Sequence, residues 1–249
     1  KQRDLKPEYS VQIASKSILF FNYATHSSTP ADVMKKMMEA GQECFQNVVD
    51  TLNERYEKFC GMVGREFKSL PWKARTMSYD QLFVEVKKEV GDKLDDMVKA
   101  YAEEVSKDDR YDVRDKAMKI VEYVHSLWSD KNPVLLVYLT PPYYPHIYVE
   151  GARPEEKALI DAVNYAVTTT ESDYKLVQKK FLPCISDLSY AAAPKEAEAI
   201  AALKQNMPGF GTIYDLPIED MQALDLPVAD IGSYGKDAHQ FTERVETVY

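Results

Sequence analysis

VLLVYLTPPYYPH, residues 134–146, is the stretch that decides how the chain is divided. Its first half is a continuous apolar run typical of a buried strand, and the prolines at 141, 142 and 145 then end that strand. The composition changes at this point. We therefore predict two domains, over residues 1–148 and 149–249.

The segment before this boundary combines a strand region with long helices. Residues 9–26 mix alternating polarity with β-branched and aromatic side chains, which predicts one or two strands. Thr29 is the predicted N-cap of a helix that starts at Pro30 and runs to about Cys60. Amphipathic stretches over 79–105 and 113–128 follow. This first domain is predicted to be α+β.

Beyond the boundary, helical and strand patterns alternate. A helix is predicted to open at Pro154, a strand to cover residues 174–182, and another helix to lie within residues 193–206. Residues 226–231, LPVADI, have the pattern of a last buried strand. This alternation predicts an α/β layer architecture.

Composition and charge exclude several classes of partner. The formal net charge of −9, without any run of basic residues, opposes binding to nucleic acid or to an anionic membrane surface. The apolar stretch over 17–21 is too short to span a bilayer. Three cysteines without a C-x-x-C pair indicate neither a disulfide framework nor a structural zinc site, and fit a reducing cytoplasm.

GSYGKDAHQFTERV, residues 232–245, contains the first candidate site residue. His239 follows two glycines, and Glu243 lies four residues later. A lone histidine near a glycine turn is more often structural than a ligand, because metal sites need several convergent ligands. On spacing alone, His239 is therefore a structural or surface residue.

Two other stretches carry candidates. Ser186 and Asp187 follow a predicted strand and open an apolar helix, which a simple N-cap with a first-turn acid explains without any function. His26 precedes a helix N-terminus, whose positive dipole end favours a neutral imidazole that can bind an anionic ligand. The pattern predicts that His125 lies in the core and that His146 packs within a loop.

In combination, these stretches resemble M20-type metallopeptidases. The resemblance extends over essentially the whole chain and rests on the order of YATHSSTPADV (23–33), VLLVYLTPPYYPH (134–146), SDLSY (186–190) and GKDAHQFTE (235–243). It implies an α+β lid, or dimerisation, domain inserted into a zinc-peptidase-like α/β catalytic domain, of which only the C-terminal part is present here.

The resemblance also implies roles for individual residues. His239 would be a metal ligand supported by Glu243, and His26 would be a catalytic and substrate-binding histidine that holds a substrate carboxylate or the oxyanion. Ser186, Asp187 and Gly235 would line the substrate cleft. The implied cofactor is zinc or another divalent metal, and the implied substrate is a small molecule with an amide or peptide-like bond. The implied assembly is a homodimer formed through the lid, and the strand SILFFNY (17–23) offers an edge for it.

One departure from the family pattern matters for activity. The remaining metal ligands and the general base of the family lie upstream of the lid, and nothing in this chain supplies them. We therefore expect the chain to be the C-terminal part of a longer enzyme and to be inactive alone. The alternative is a non-catalytic dimerisation or interaction module derived from the same family.

Overall fold

A computed structural model describes residues 2–4, 14–171, 176–180, 186–232 and 234–246. The chain has a mixed α+β fold in which helices predominate. Seven α-helices lie within the described residues: α1 Pro30–Val63, α2 Tyr79–Val90, α3 Lys93–Ser106, α4 Val113–Leu127, α5 Pro154–Thr169, α6 Ala197–Asn206 and α7 Ile218–Leu224. A short 3₁₀ helix covers Asp187–Ala191. None of these described helices is both long and apolar enough to cross a membrane.

Short strands form three two-stranded sheets in the described part of the chain. The first and last are antiparallel, whereas the middle pair is parallel. In chain order the strands are β1 Gln2–Asp4, β2 Ser17–Leu19, β3 Thr76–Ser78, β4 Leu135–Val137, β5 Gly235–Lys236 and β6 Arg244–Val245. Of the strand region predicted over residues 9–26, Ser17–Leu19 is confirmed, and residues 9–13 lie outside the described residues. Of the strand predicted over residues 134–139, Leu135–Val137 is confirmed.

Helix α1 begins where the sequence predicts. The Thr29 hydroxyl accepts a hydrogen bond from the backbone N–H of Asp32, whose carboxylate in turn accepts one from the Thr29 N–H. This reciprocal capping box satisfies N–H groups that the first helical turn leaves unpaired. The helix continues past Cys60 to Val63 and ends at Gly64, which adopts the left-handed conformation.

The main apolar core lies among α2, α3 and α4. Its fully buried members include Leu82, Leu94 and Ile120. The amphipathic stretch 79–105 is divided into two helices at Gly91, whose φ of 83° is compatible with glycine but not with helix continuation. The division lets α2 and α3 fold back on each other and bury their apolar faces against α4.

A second apolar cluster joins α6 to the loop after β4. Leu203, Met207 and Ile218 are buried in it, and Leu139 and Tyr143 pack against them. Asn206 at the end of α6 adds polar contacts, because its carbonyl accepts from the Leu139 N–H and its side-chain oxygen accepts from the Asp80 N–H. Helix α6 also contacts α1 and α2. Contacts therefore cross the predicted boundary at residue 148, and the division into two domains stays a prediction.

The prediction of an α/β layer beyond residue 148 is wrong where it places strands. Residues 226–231 form no strand: Leu226 and Ile231 are 50% and 87% exposed, and none of the strands in the described part of the chain pairs with this segment. Within the predicted strand 174–182, residues 176–180 are also not extended in a sheet, and the others lie outside the described residues. The helices predicted at Pro154 and within 193–206 are confirmed as α5 and α6.

Candidate functional site

The loop after β4, residues 139–148, is the centre of the candidate site. Pro141 and Pro145 are fully buried, and the loop residues Leu139 and Tyr143 pack against the cluster around Leu203. Pro30, at the start of α1, lines the same small apolar cavity as Pro145 and Leu203. The beginning of α1 and the end of this loop are therefore held side by side.

Two successive residues before α1 contact this loop. The Thr25 Oγ1 atom lies 3.3 Å from Nδ1 of His146. The ring of His26 lies against that of Tyr148, with centroids 5.3 Å apart and planes tilted by 55°. His26 and Tyr148 are exposed, whereas His146 is half-buried. We call these four residues the histidine cluster.

The two histidines of this cluster interact electrostatically. Burial lowers the pKa of His146, the positive charge of His26 lowers it further, and the carboxylate of Glu196 opposes both effects. His146 is therefore biased toward the neutral imidazole. A neutral ring has one nitrogen that accepts and one that donates a hydrogen bond, so Nδ1 can accept from the Thr25 hydroxyl while Nε2 carries the proton.

Ser186 and Asp187 lie at the start of the 3₁₀ helix. The Ser186 hydroxyl accepts a hydrogen bond from the Leu188 N–H, 3.3 Å away, which is the N-cap role that its sequence context predicts. Asp187 is exposed. The same 3₁₀ helix places Tyr190 against Tyr144, with ring centroids 5.2 Å apart, and so connects Ser186 to the loop of the histidine cluster.

Tyrosines reinforce this connection. Burial and hydrogen bonds to Tyr214 and Tyr144 raise the pKa of Tyr190, which keeps its hydroxyl neutral. The Tyr214 hydroxyl in turn donates to the carbonyl of Tyr143 and accepts from its N–H. These tyrosine contacts fix the loop, which also carries His146 and Tyr148 of the histidine cluster.

His239 lies elsewhere, at the tip of the hairpin formed by β5 and β6. Its φ of 60° is left-handed, and its backbone N–H donates to a carboxylate oxygen of Glu243 at 3.2 Å. Asp237 accepts from the Thr242 hydroxyl and from the Arg244 guanidinium. His239 is exposed. Glu243 therefore shapes the turn that carries His239, and its supporting role at a metal site stays a prediction.

The pairing of the hairpin strands explains why position 235 is a glycine. A Cβ atom at this position would lie 2.8 Å from the carbonyl oxygen of Arg244 on the paired strand. Real Cβ atoms do not approach a backbone oxygen so closely, so only glycine allows the two strands to pair here. The predicted substrate-binding role of Gly235 stays a prediction beside this structural one.

The structure thus joins some of the predicted site residues and leaves others separate. His26 contacts the 139–148 loop through Tyr148, and the 3₁₀ helix that Ser186 caps contacts the same loop through Tyr190. His239, Glu243 and Gly235 share the terminal hairpin. Among the residues that the structure describes, no group of three or more His, Cys, Asp or Glu side chains is arranged to hold a metal ion.

His146 and Tyr148 are the site residues that sequence reasoning missed. His146 was predicted to pack within its loop, and its contact with Thr25 spans 121 positions of sequence. No local pattern reports a contact over that distance. The sequence contained one indirect signal that these segments meet: the same family resemblance required both the ATHS and the PPYYPH motif.

Comparison with known proteins shows similarity along the entire chain. Protein RocB of Bacillus subtilis (strain 168) is 26% identical over 250 residues, which cover all of this chain and 44% of RocB. The uncharacterized protein YqjN of the same organism is 26% identical over 248 residues, again 44% of its length. The chain therefore spans less than half the length of these relatives. No family model and no solved structure matches it. The resemblance expected from the motifs is confirmed by the relationship to RocB.

Proposed function

We propose that this chain supplies the lid domain, residues 1–148, and the C-terminal part, residues 149–249, of a metal-dependent hydrolase of the M20 type. The reaction is cleavage of an amide or peptide-like bond in a small substrate. The observation that carries the proposal is the similarity to RocB over the whole chain, in agreement with the ordered motifs. The resemblance to RocB also implies a substrate connected with arginine utilization.

His26 is the residue of this chain that we propose to contact the substrate. It is exposed, it sits beside Tyr148, and it lies four positions before the N-terminus of α1. An imidazole there can hold a substrate carboxylate or the oxyanion that develops at a carbonyl under attack. Removal of one hydrogen-bond donor to such an oxyanion typically lowers the rate by a factor on the order of 10²–10³.

The metal that the resemblance implies, zinc or another divalent ion, does not fit the described residues on their own. Hydrolytic metal sites draw three protein ligands or more, and here His239 offers one imidazole beside a Glu243 carboxylate engaged with the turn. We therefore assign no step of the reaction to a metal held by this chain alone. In the proposal, the other ligands and the general base belong to the part of the full-length protein that this chain does not include.

A second candidate function is a non-catalytic dimerisation module. It is favoured by an exposed apolar stripe along α1, whose members lie three or four residues apart: Val48, Leu52, Tyr56, Phe59 and Val63. Leu19 and Phe21, in and after β2, are exposed as well. Exposed apolar side chains and strand edges of this kind favour contact with a second copy.

Homodimer formation is common to both candidates, so it is measured separately. Light scattering of the chain at micromolar concentration should give the mass of two copies. A strictly monomeric mass would remove the dimer from either proposal.

The test of the hydrolase uses the full-length protein, with metal content measured by elemental analysis alongside amidase activity. We expect His239→Ala to remove most of the metal-dependent activity and to lower the metal content. The matched control is His125→Ala. His125 is half-buried beside the edge of the Trp128 ring on α4, so its replacement should reduce stability and leave the metal content unchanged. Equal metal and equal activity in wild type and His239→Ala would overturn the role of His239 as a metal ligand, and a wild-type protein without metal-dependent amidase activity would overturn the hydrolase assignment.

A further inference from the structure

The histidine cluster is built as two adjacent contacts between distant segments. Thr25 meets His146, and the next residue, His26, meets Tyr148 two positions further on. Each contact alone contributes little, because the hydrogen bond is at the long end of its range and the ring pair lies at an exposed surface. Together they restrict both the position of the 24–27 backbone and the orientation of the His26 ring.

Both segments are anchored immediately beside the cluster. On one side, the capping box of Thr29 and Asp32 fixes the start of α1. On the other side, Pro145 is fully buried next to His146, and the neighbouring Tyr144 ring packs on Tyr190. The two contacts therefore join backbones that are already held, so little ordering remains when a ligand arrives.

The surroundings of His146 bias its protonation state. His146 is half-buried, and the groups that affect its charge are His26, which disfavours protonation, and Glu196, which favours it. Because burial acts against a charge on His146, this half-buried ring is biased toward the neutral form, which can accept a hydrogen bond from the Thr25 hydroxyl.

We propose that His146 is a positioning residue for His26: with Thr25 and Tyr148 it holds the His26 ring so that this ring binds a carboxylate group. The inference rests on the proposed substrate-binding role of His26, and it adds the residues that make that role possible. It assigns a function to the half-buried histidine of PPYYPH. It also explains why the segments that precede α1 and follow β4 need to meet.

The chain is well suited to a direct test because it contains only four histidines. Histidine labelled with ¹³C gives one ring Cε1–H signal for each of them in an NMR spectrum. The probe is acetate, titrated into the chain at a pH near 6, and the readout is the shift of the His26 signal. The wild-type protein should show a saturable shift at His26.

Three variants separate positioning from general structure. His146→Ala and Thr25→Val remove the contact, and each should weaken acetate binding at His26 by about twofold to tenfold, the equivalent of one ordinary hydrogen bond. His146→Asn keeps a side-chain group that can bond to the Thr25 hydroxyl, and it should restore most of the affinity. An unchanged His125 signal verifies that α4 and its core remain folded.

A pH titration supplies a readout that a purely structural role would not alter. In His26→Ala, the titration midpoint of His146 should rise toward the ordinary histidine value, because the opposing positive charge is gone. An unchanged midpoint would overturn the coupling. If acetate shifts His26 equally in wild type, His146→Ala and Thr25→Val, the positioning role is overturned while the substrate-binding role of His26 stands. If acetate does not shift His26 even in wild type, the carboxylate-binding role itself is overturned.

Discussion

His26 and His239 are the two histidines to which the sequence motifs give a function, and the fold treats them differently. His26 is placed by contacts with Tyr148 and, through Thr25, with His146, residues from a loop that follows four helices and β4. His239 is placed by a local turn, through its hydrogen bond to Glu243 four residues away. The first position depends on the tertiary structure of this chain, whereas the second depends on a short hairpin.

This difference accounts for how each histidine can act. A residue held by tertiary contacts is already oriented when a ligand arrives, so less binding free energy goes into ordering it. A residue on an exposed hairpin needs additional partners before it can serve as a metal ligand, because metal ligands are oriented by a surrounding shell of hydrogen bonds. The comparison therefore predicts that perturbing the packed cluster affects His26 and leaves His239 unchanged.

The largest effect in the chain itself should come from Leu203→Ala. Leu203 is 2% exposed and packs under the loop that carries His146. Truncation of a buried leucine leaves a cavity and typically lowers the free energy of unfolding by about 2–5 kcal/mol. Urea unfolding measures this loss, and NMR should show shifted signals for His26 and His146 but not for His239.

The matched control is Leu224→Ala on α7, because Leu224 is 50% exposed. Its replacement should change stability by less than about 0.5 kcal/mol, as is usual for surface positions. A His239 signal that moves as far as the His26 signal in Leu203→Ala would break the contrast between the two sites.

The start of α1 was predictable because its signals are local. Thr29, Pro30 and Asp32 lie within four positions, and the capping box follows directly from their side chains. The amphipathic helices were predictable for the same reason, since their periodicity reports burial within a single element. The histidine cluster was not, because the contact between Thr25 and His146 depends on how the loop after β4 packs on α6.

The failed strand at residues 226–231 shows the opposite error. A short apolar run is compatible with a buried strand, but it requires a neighbouring strand to supply hydrogen bonds. Here Leu226 donates its N–H to the carbonyl of Ala191, in the 3₁₀ helix, and the run remains exposed. Hydropathy alone does not say whether such a partner exists. Helix α7 was missed because its seven residues are too few to show a helical period.

Thr29→Ala should have the next largest effect. It removes the hydroxyl that accepts from the Asp32 N–H, and such N-cap losses cost about 1 kcal/mol. His26 lies three residues upstream, so its NMR signal should broaden or shift along with the fall in stability. The control is Thr29→Ser, which retains the hydroxyl and should restore both values. A shifted His239 signal in Thr29→Ala would contradict the independence of the hairpin.

Gly235→Ala tests the hairpin from the other side. The new methyl group would meet the Arg244 carbonyl oxygen, so β5 and β6 should separate and the His239 signal should shift. The melting temperature should stay almost unchanged, because the hairpin is exposed and contributes little to the buried core. Gly232→Ala is the matched control, since nothing lies within 4 Å of a Cβ atom there. A drop in melting temperature in Gly235→Ala as large as that in Leu203→Ala would show that the hairpin is part of the packed unit.

The smallest expected effect is a pH dependence of stability that comes from the packed histidines. Burial is the main cause that lowers the pKa of both His125 and His146 below the ordinary value near 6.5. Between the folded and the unfolded pKa values, the unfolded chain binds more protons, so stability rises with pH. The contribution is therefore fully present above about pH 7 and is lost as the pH falls below about 6.5 through the folded-state values. Urea unfolding between about pH 5 and 8 measures this change, in a window above the acid titration of carboxylates such as Asp130, whose pKa Arg75 lowers to about 2.

His146→Asn should reduce the loss of stability toward pH 5 while leaving the value at pH 8 little changed. The same dependence of stability on pH in wild type and His146→Asn would mean that the fold does not lower the pKa of His146. The contrast between a packed His26 site and a local His239 site would then rest on geometry alone.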